Sequence, residues 1–419
     1  MHNQPRVKHD VAEVFRKHLS EYRRFHRLSS EQAKAVQAIV DCRTPALGGV
    51  VKMCTECQKW EFCYKPCKNR HCPQCGTFEK AQWLEAQKIW LLPIPYYHVV
   101  FTIDHVFNPL VAYNAEGLYN LLIQTAAQLL KEYGQKYLGG ELGFTLVLHT
   151  WGQTMQFHPH LHVMVTGGAL VYPTGTMSTS STQRVSGPDG YRWQAASREF
   201  LFPVKLLSHD FRERFCAAVM RAWQAGKLVT PEGQLDVAAM VSAAQAKDWE
   251  VFIQAPLSGA ENLLDYLGRY IFRIAISNHR LVAVERDHVS FEYYDNRDHG
   301  QRKLMRLAPG EFIRRFLLHV LPSHFVRIRH FGLHHSTCRP KLQHARRLLG
   351  LSFQLPVLLK LKFLDWFQKI MQTDQDPRLC PHCKIGLMVP VREFGPVSGW
   401  RRTLVSLVGR LTQWKPAFA

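Results

Sequence analysis

Apolar residues in the first 42 positions recur at a helical period. The stretches "VAEVFRKHLSEYRRFHRL" and "SSEQAKAVQAIVDC" predict two helices over 11–42, the second opening with Ser30 as N-cap. Residues 50–78 lose the period and become short, Cys-rich and turn-rich. "PYYHVVFTI" then reads as a strand, followed by an amphipathic helix over about 110–134. "GFTLVLHTWGQ" and "HLHVMVTGG" predict two successive strands joined by a short loop containing Pro159. Residues 172–192 are rich in Ser, Thr, Gly and Pro, as an exposed loop or hairpin insertion would be. A helix near 208–226, a strand in "WEVFIQ" and a helix opened by the capping box Ser258/Glu261 complete the pattern. Strands mixed with helices in this order predict an α+β core.

Charge adds a partner to this outline. The 419 residues hold 53 Lys+Arg against 33 Asp+Glu, a net charge of +20 that favours a polyanion such as nucleic acid. Half of that excess falls in residues 299–350, where eleven Lys/Arg, among them Arg314, Arg315, Arg327 and Arg329, face one acid, Glu311. Phe312, Phe316, Phe325 and Phe331 interleave with them, which suits phosphate contacts with base stacking, although at least half of these rings are expected in the core. "MHNQPRVKHDVAEVF" has no apolar signal-peptide region, and "IWLLPIPYYHVVFTI" is too short and too interrupted to span a membrane. A soluble cytoplasmic protein is expected, and its eleven cysteines then point to metal rather than disulfides.

Cys54 and Cys57 in "CTEC" and Cys72 and Cys75 in "HCPQC" form two C-x2-C pairs with fourteen residues between them. Each pair can present two thiolates to one tetrahedral Zn²⁺, and a closed four-sulfur site is structural. Cys42, Cys63, Cys67 and His71 lie close enough to substitute for a ligand or to form a second site. Cys380 and Cys383 in "CPHC" make half of another, for which Cys338, His334 and His335 are the neighbouring candidates.

In "HPHLH", His160 and His162 are two apart and share one strand face, about 7 Å apart along the strand, with Leu161 turned to the core. Such a pair can chelate a divalent ion. Gln153 is placed across the hairpin to be a third ligand, with His149 and His158 as rivals. The same letters also fit a histidine-triad nucleotide hydrolase, in which a histidine is the nucleophile. Proline at 159 and the cysteine module argue against that alternative.

Tyr266 and Tyr270 in "ENLLDYLGRYIFR" stand at i and i+4 on one helix face, with Arg269 and Arg273 beside them. A tyrosine oxygen is a competent nucleophile toward a phosphodiester when a metal polarises the phosphate. The resulting phosphotyrosine stores the bond for rejoining, and two tyrosines permit two such linkages.

Several stretches taken together carry a resemblance: "CRTPALGG", "NRHCPQC", "PYYHVVFT", "HPHLHVMVTGGAL", "YLGRYIFRIAISNHRL", "EFIRRFLLHVLPSHFVRIRHFGL" and "CPHC". In this order the chain resembles the HUH transposases of rolling-circle insertion sequences, the IS-ninety-one type. The resemblance implies a Rep/relaxase-like antiparallel-sheet core with the histidines on a central strand and the tyrosines on a facing helix. It implies His160 and His162 as ligands of a catalytic Mg²⁺ or Mn²⁺, Tyr266 and Tyr270 as nucleophiles, single-stranded DNA at element ends as partner, and a bacterial cytoplasm with its nucleoid as location. One departure is Ile271–Phe272, where Thr–His is expected.

The expected organisation is helices and a zinc-ribbon module over 1–92, then an HUH endonuclease core over 93–297. That core carries an insertion near 172–250 and the tyrosine helix at 259–274. A basic DNA-binding region with CPHC follows over 298–419. The alternatives are a plasmid replication initiator or relaxase, which shares the site, and a non-catalytic zinc-ribbon DNA binder.

Overall fold

Strict alternation along residues 143–166 produces two long antiparallel strands at the middle of a sheet, as expected. In the computed structural model the described residues are 8–397, except 89, 174–183, 187–189, 198–199, 232–234, 258–267, 269–273, 296–297, 353, 355–362 and 372. The predicted tyrosine helix, with Tyr266, Tyr270, Arg269 and Arg273, therefore lies outside the described residues.

The described helices are α1 (Val11–Phe25), α2 (Ser30–Asp41), α3 (Thr77–Gln87), α4 (Asn108–Tyr113), α5 (Ala115–Leu138), α6 (Val204–Gln224), α7 (Val237–Gln245), α8 (Pro309–Leu318), α9 (Arg339–Leu348) and α10 (Phe363–Met371). The strands begin with β1 (Gly49–Cys54), β2 (Trp60–Tyr64), β3 (Tyr96–Thr102), β4 (Gly143–Trp151), β5 (Phe157–Thr166), β6 (Gly168–Val171) and β7 (Arg184–Ser186). They continue with β8 (Arg192–Ala195), β9 (Val251–Leu257), β10 (Leu281–Val284), β11 (Val289–Asp295), β12 (Gln301–Leu307), β13 (Ile328–Gly332) and β14 (Met388–Phe394). None of the described helices is long and apolar enough to cross a membrane.

Two compact units form, and neither is continuous in sequence: residues 1–81, 276–313 and 359–419 make one, residues 82–275 and 314–358 the other. The three consecutive segments expected from the sequence divide the chain differently. Strand pairing between distant segments is the reason, because it cannot be read from local pattern.

The second unit is built on a five-stranded sheet of order β13-β4-β5-β3-β9, with antiparallel neighbours throughout. One face carries Tyr97, Val99 and Phe101 of β3, Phe144, Leu146 and Leu148 of β4, and Leu161, Val163 and Val165 of β5. These pack with Leu122, Ile123, Ala126 and Leu130 of α5 and Phe211 and Phe215 of α6. Helix α5 presents that stripe at i, i+4 spacing, and Gly139 stops it in a left-handed conformation (φ 66°) that glycine adopts without a Cβ clash. Each fully buried Leu or Phe contributes about 1.5–3 kcal/mol by leaving water. The opposite face holds the histidines. Pro159 lies inside β5 rather than in the loop, at a bulge where the β4 register shifts between His149 and Trp151. The bulge is what lets a residue without an N–H sit in the strand. Residues 184–186 and 192–195 pair as a hairpin next to β6, in agreement with the expected insertion.

In the first unit α1 is capped by Asp10, whose carboxylate accepts from the Glu13 N–H. Ser29, not Ser30, caps α2, and Gln32 closes the capping box. The Val11 N–H donates to Asn278 Oδ1 at 3.1 Å and Lys17 Nζ to the Val284 carbonyl at 3.0 Å, which tie α1 to the 276–313 segment. Strands β10, β11 and β12 form a meander. A separate sheet of order β14-β1-β2 brings residues 388–394 beside 49–54, so one strand of the N-terminal module comes from beyond residue 380.

The expected stacking aromatics are core residues. Phe312, Phe316 and Phe325 are 0%, 3% and 4% exposed, and Phe331 stacks on Phe144 at 5.3 Å. Phe312 and Phe316, one turn apart on α8, are buried by amphipathic helix packing, while Phe325 lies in a loop and the half-buried Phe331 on β13.

Candidate metal centres

Strand β5 is the middle strand of its sheet, and its period of two turns His160 and His162 to the same face. Their rings lean together until the two Nε2 atoms are 3.1 Å apart. His149 is the register partner of His160 on β4 and completes the group, with ring centroids 5.5 Å and 4.5 Å from those of His160 and His162. One ligand atom from each lies within 4.8 Å of the others. Two nitrogens bound about 2.1 Å from one ion stand about 3.0–3.4 Å apart, so the Nε2 pair fits a shared ion. His149 and His160 are buried, while His162 is half-buried.

Hydrogen bonds set the tautomers this chemistry needs. His160 Nδ1–H donates to the His158 carbonyl at 2.7 Å, which leaves Nε2 with its lone pair. His162 Nδ1 lies 2.8 Å from Nε2 of the buried His98, and His98 is bonded in turn to the side chain of Gln254. With His162 donating along this line, its Nε2 carries the lone pair that a metal would take. Burial pushes His160 and His98 down to about 4, so both rings are neutral at pH 7. A further pair, His105 Nε2 and His158 Nδ1, sits 2.9 Å apart beside the group.

Of the ligands expected from sequence, the structure brings His160 and His162 together with His149, one of the two rivals to Gln153. Gln153 lies half-buried in the turn between β4 and β5. His98 was missed as a site residue. Its signal is a lone imidazole in the otherwise apolar strand "YYHVVF", two residues from Val100, the partner of His162.

The cysteines do not gather as their spacing suggested. Cys54/Cys57 and Cys72/Cys75 belong to two different clusters: Cys42, Cys67, Cys72 and Cys75 form one, Cys54, Cys57, Cys380 and Cys383 the other. His71 and Cys63 belong to neither, and Cys338, His334 and His335 do not complete the CPHC pair. A C-x2-C turn dictates that its two sulfurs converge but not which second turn meets them. In the first cluster Cys75 Sγ lies 3.4 Å from Cys42 Sγ and 3.7 Å from Cys67 Sγ. A tetrahedral Zn²⁺ with bonds of about 2.3 Å sets its sulfurs about 3.8 Å apart, so these donors fit zinc. The thiols pull one another in opposite directions, Cys67 down to about 5 through its contact with Cys72 and Cys42 up to about 12 through burial. A cation removes that conflict by letting all four ionise.

Among the expected DNA-binding arginines, Arg314 is exposed on α8. Arg315 donates to the Thr154 carbonyl at 2.9 Å. Arg329 bonds Asn120 and lies over Phe325 at 5.5 Å. Arg327 is half-buried. The basic window is thus partly structural.

An antiparallel sheet with a histidine group on its middle strand, in one chain with cysteine clusters and an excess of basic residues, marks a DNA-processing enzyme with a zinc-binding module. Residues 143–341 match the family described as "Putative transposase", and residues 14–103 match the "Transposase zinc-binding domain". The chain is 37% identical over 405 residues to "Putative transposase y4qJ" of Sinorhizobium fredii, covering 93% of this chain and 96% of that protein. It is 26% identical over 308 residues to "Transposase for insertion sequence element IS801" of Pseudomonas savastanoi, covering 72% of this chain and 70% of that one. No solved structure matches it. The chain belongs to the transposase family of the IS-ninety-one type.

Proposed function

We propose that this transposase is an HUH endonuclease that cuts single-stranded DNA at the ends of an insertion sequence and transfers the strand through 5′-phosphotyrosine links, in a rolling-circle scheme. The observation that supports the reading is the convergence of His149 of β4 with His160 and His162 of the middle strand β5 on one face of the sheet. These residues would hold Mg²⁺ or Mn²⁺, and imidazole donors suit the softer Mn²⁺ better. When bound, the ion polarises a non-bridging oxygen of the scissile phosphate. The His158 carbonyl aims the His160 ring, and His98 aims that of His162.

One of the two phenols, Tyr266 or Tyr270, gives up its proton to solvent as its oxygen attacks phosphorus and forms the new O–P bond. The 3′-oxygen leaves, takes up a proton and becomes a free 3′-OH, while the 5′-phosphate stays on the tyrosine. The other tyrosine performs the same exchange on a second strand. Attack by a 3′-OH on a phosphotyrosine reverses the step, so joining needs no ATP. Arg269, Arg273 and Arg314 are proposed phosphate contacts, assisted by Arg315, Arg327 and Arg329 where their internal bonds allow. Zinc at Cys42, Cys67, Cys72 and Cys75 folds the N-terminal module.

Labelled single-stranded element ends incubated with Mn²⁺ are expected to give a covalent adduct on denaturing gels. An adduct that persists in the Tyr266→Phe/Tyr270→Phe variant overturns the nucleophile, and one that persists in EDTA overturns the metal.

A further inference from the structure

The zinc-binding-domain match ends at residue 103, yet two of the sulfurs gathered in the first unit come from residues 380 and 383. We infer that Cys54, Cys57, Cys380 and Cys383 hold a second structural Zn²⁺, which fastens the 380–394 segment to the N-terminal module.

Four observations carry this. First, Cys54 Sγ lies 3.6 Å from Cys383 Sγ and Cys57 Sγ 3.6 Å from Cys380 Sγ, close to the edge of about 3.8 Å in a ZnS₄ tetrahedron. These spacings are too long for a disulfide of about 2.05 Å. Second, the two halves are alike. Cys54 Sγ accepts from the N–H groups of Glu56 and Cys57 at 3.4 Å, and in the other half His382 donates to Cys380 Sγ and Gly386 to Cys383 Sγ at 3.4 Å. Amide donors aimed at sulfur stabilise thiolates, the form a metal binds.

Third, the backbone is strained where metal-binding turns need it. Of the seven described non-glycine residues with positive φ, four directly follow a cysteine of the two clusters: Arg43, Gln58, Lys68 and Lys384. Left-handed backbone costs such residues about 1–2 kcal/mol each, so its repetition here points to a shared external constraint. Fourth, the approach is too close for a side chain. A Cβ on Gly386 would stand 2.6 Å from Cys54 Sγ.

The site sits where two strands begin and end. Cys54 is the last residue of β1 and pairs with Met388, the first residue of β14. An ion there holds β14 in register against β1, across more than 320 residues of intervening chain. The inference is independent of the tyrosine chemistry, since zinc content and DNA cleavage are read separately.

The test is native mass spectrometry of the full, reduced, zinc-supplied chain. In the His160→Ala/His162→Ala background, which removes the imidazole group, two ions per chain are expected, one when Cys380→Ser/Cys383→Ser is added and one when Cys67→Ser/Cys72→Ser is added. Differential alkylation of the wild-type chain gives a second measurement that needs no variant to fold. Cys380 and Cys383 should react at least about tenfold more slowly with zinc than after chelation. A chain of that background with all cysteines intact that binds fewer than two ions overturns the inference. So does reaction of Cys380 and Cys383 at the chelated rate while Cys67 and Cys72 stay protected.

Discussion

In the first unit, sulfur donors come in closed sets of four, gathered from segments as far apart as residues 54 and 383. In the second, three imidazoles come from fourteen consecutive positions of one hairpin, and one of them stays half-buried. The sulfur sets fill a tetrahedral shell, so their ions can only hold chain segments together. The imidazole set leaves coordination positions for a substrate oxygen, and it rests on a sheet whose other face is already packed by α5 and α6. A metal that folds is enclosed by chain that has no other means of staying put. Under the proposed function, the reactive metal would be mounted on a scaffold that stands without it.

The largest expected effect tests the enclosing half of that contrast. A strong zinc chelator should unfold the first unit, since structural zinc supplies about 10–16 kcal/mol of apparent binding energy. Limited proteolysis should then cut within residues 42–75 and 380–394 while the second unit's sheet persists. A first unit that stays protease-resistant after complete zinc removal would break the comparison.

Next is His162→Ala. Cleavage of single-stranded DNA should fall at least about 100-fold, equivalent to about 2.7 kcal/mol of barrier, with a melting temperature close to that of the parent. A variant that loses its fold along with its activity would place this histidine among the structural groups.

His98→Ala should act through His162. Mn²⁺ affinity, read by calorimetric titration, is expected to weaken about 10–100-fold, as for other removed partners of metal-bound histidines. Unchanged affinity would remove His98 from the site.

The smallest effect is in pH. His98, His160 and His319 are held at about 4 by burial, against 6.5 for a free histidine. The unfolded chain therefore binds more protons than the folded one between these values, and stability must fall as pH drops through that window. Urea unfolding of the metal-free chain should show a midpoint that declines from pH 7 to pH 5, where ordinary carboxylates remain largely ionised. A flat midpoint would mean that these rings take up protons without unfolding the sheet.

Sequence alone determined the local elements and the types of chemistry. Alternation fixed β4 and β5 and put His160 and His162 on one face, because side chains in a strand repeat every two residues. The C-x2-C turns announced metal, because two thiols so spaced converge whatever surrounds them. Only the tertiary structure decided the partners. Hairpin register, set by the turn and a bulge at Pro159, chose His149 to face His160. Pairing of β14 with β1 carried Cys380 and Cys383 to Cys54 and Cys57 and left Cys72 and Cys75 to Cys42 and Cys67. Burial by neighbouring elements turned the interleaved phenylalanines of the basic window into core. Contacts within a few residues are written in the chain's own geometry. Contacts across hundreds of residues depend on which surfaces bury each other best, and that is settled only when the whole chain has folded.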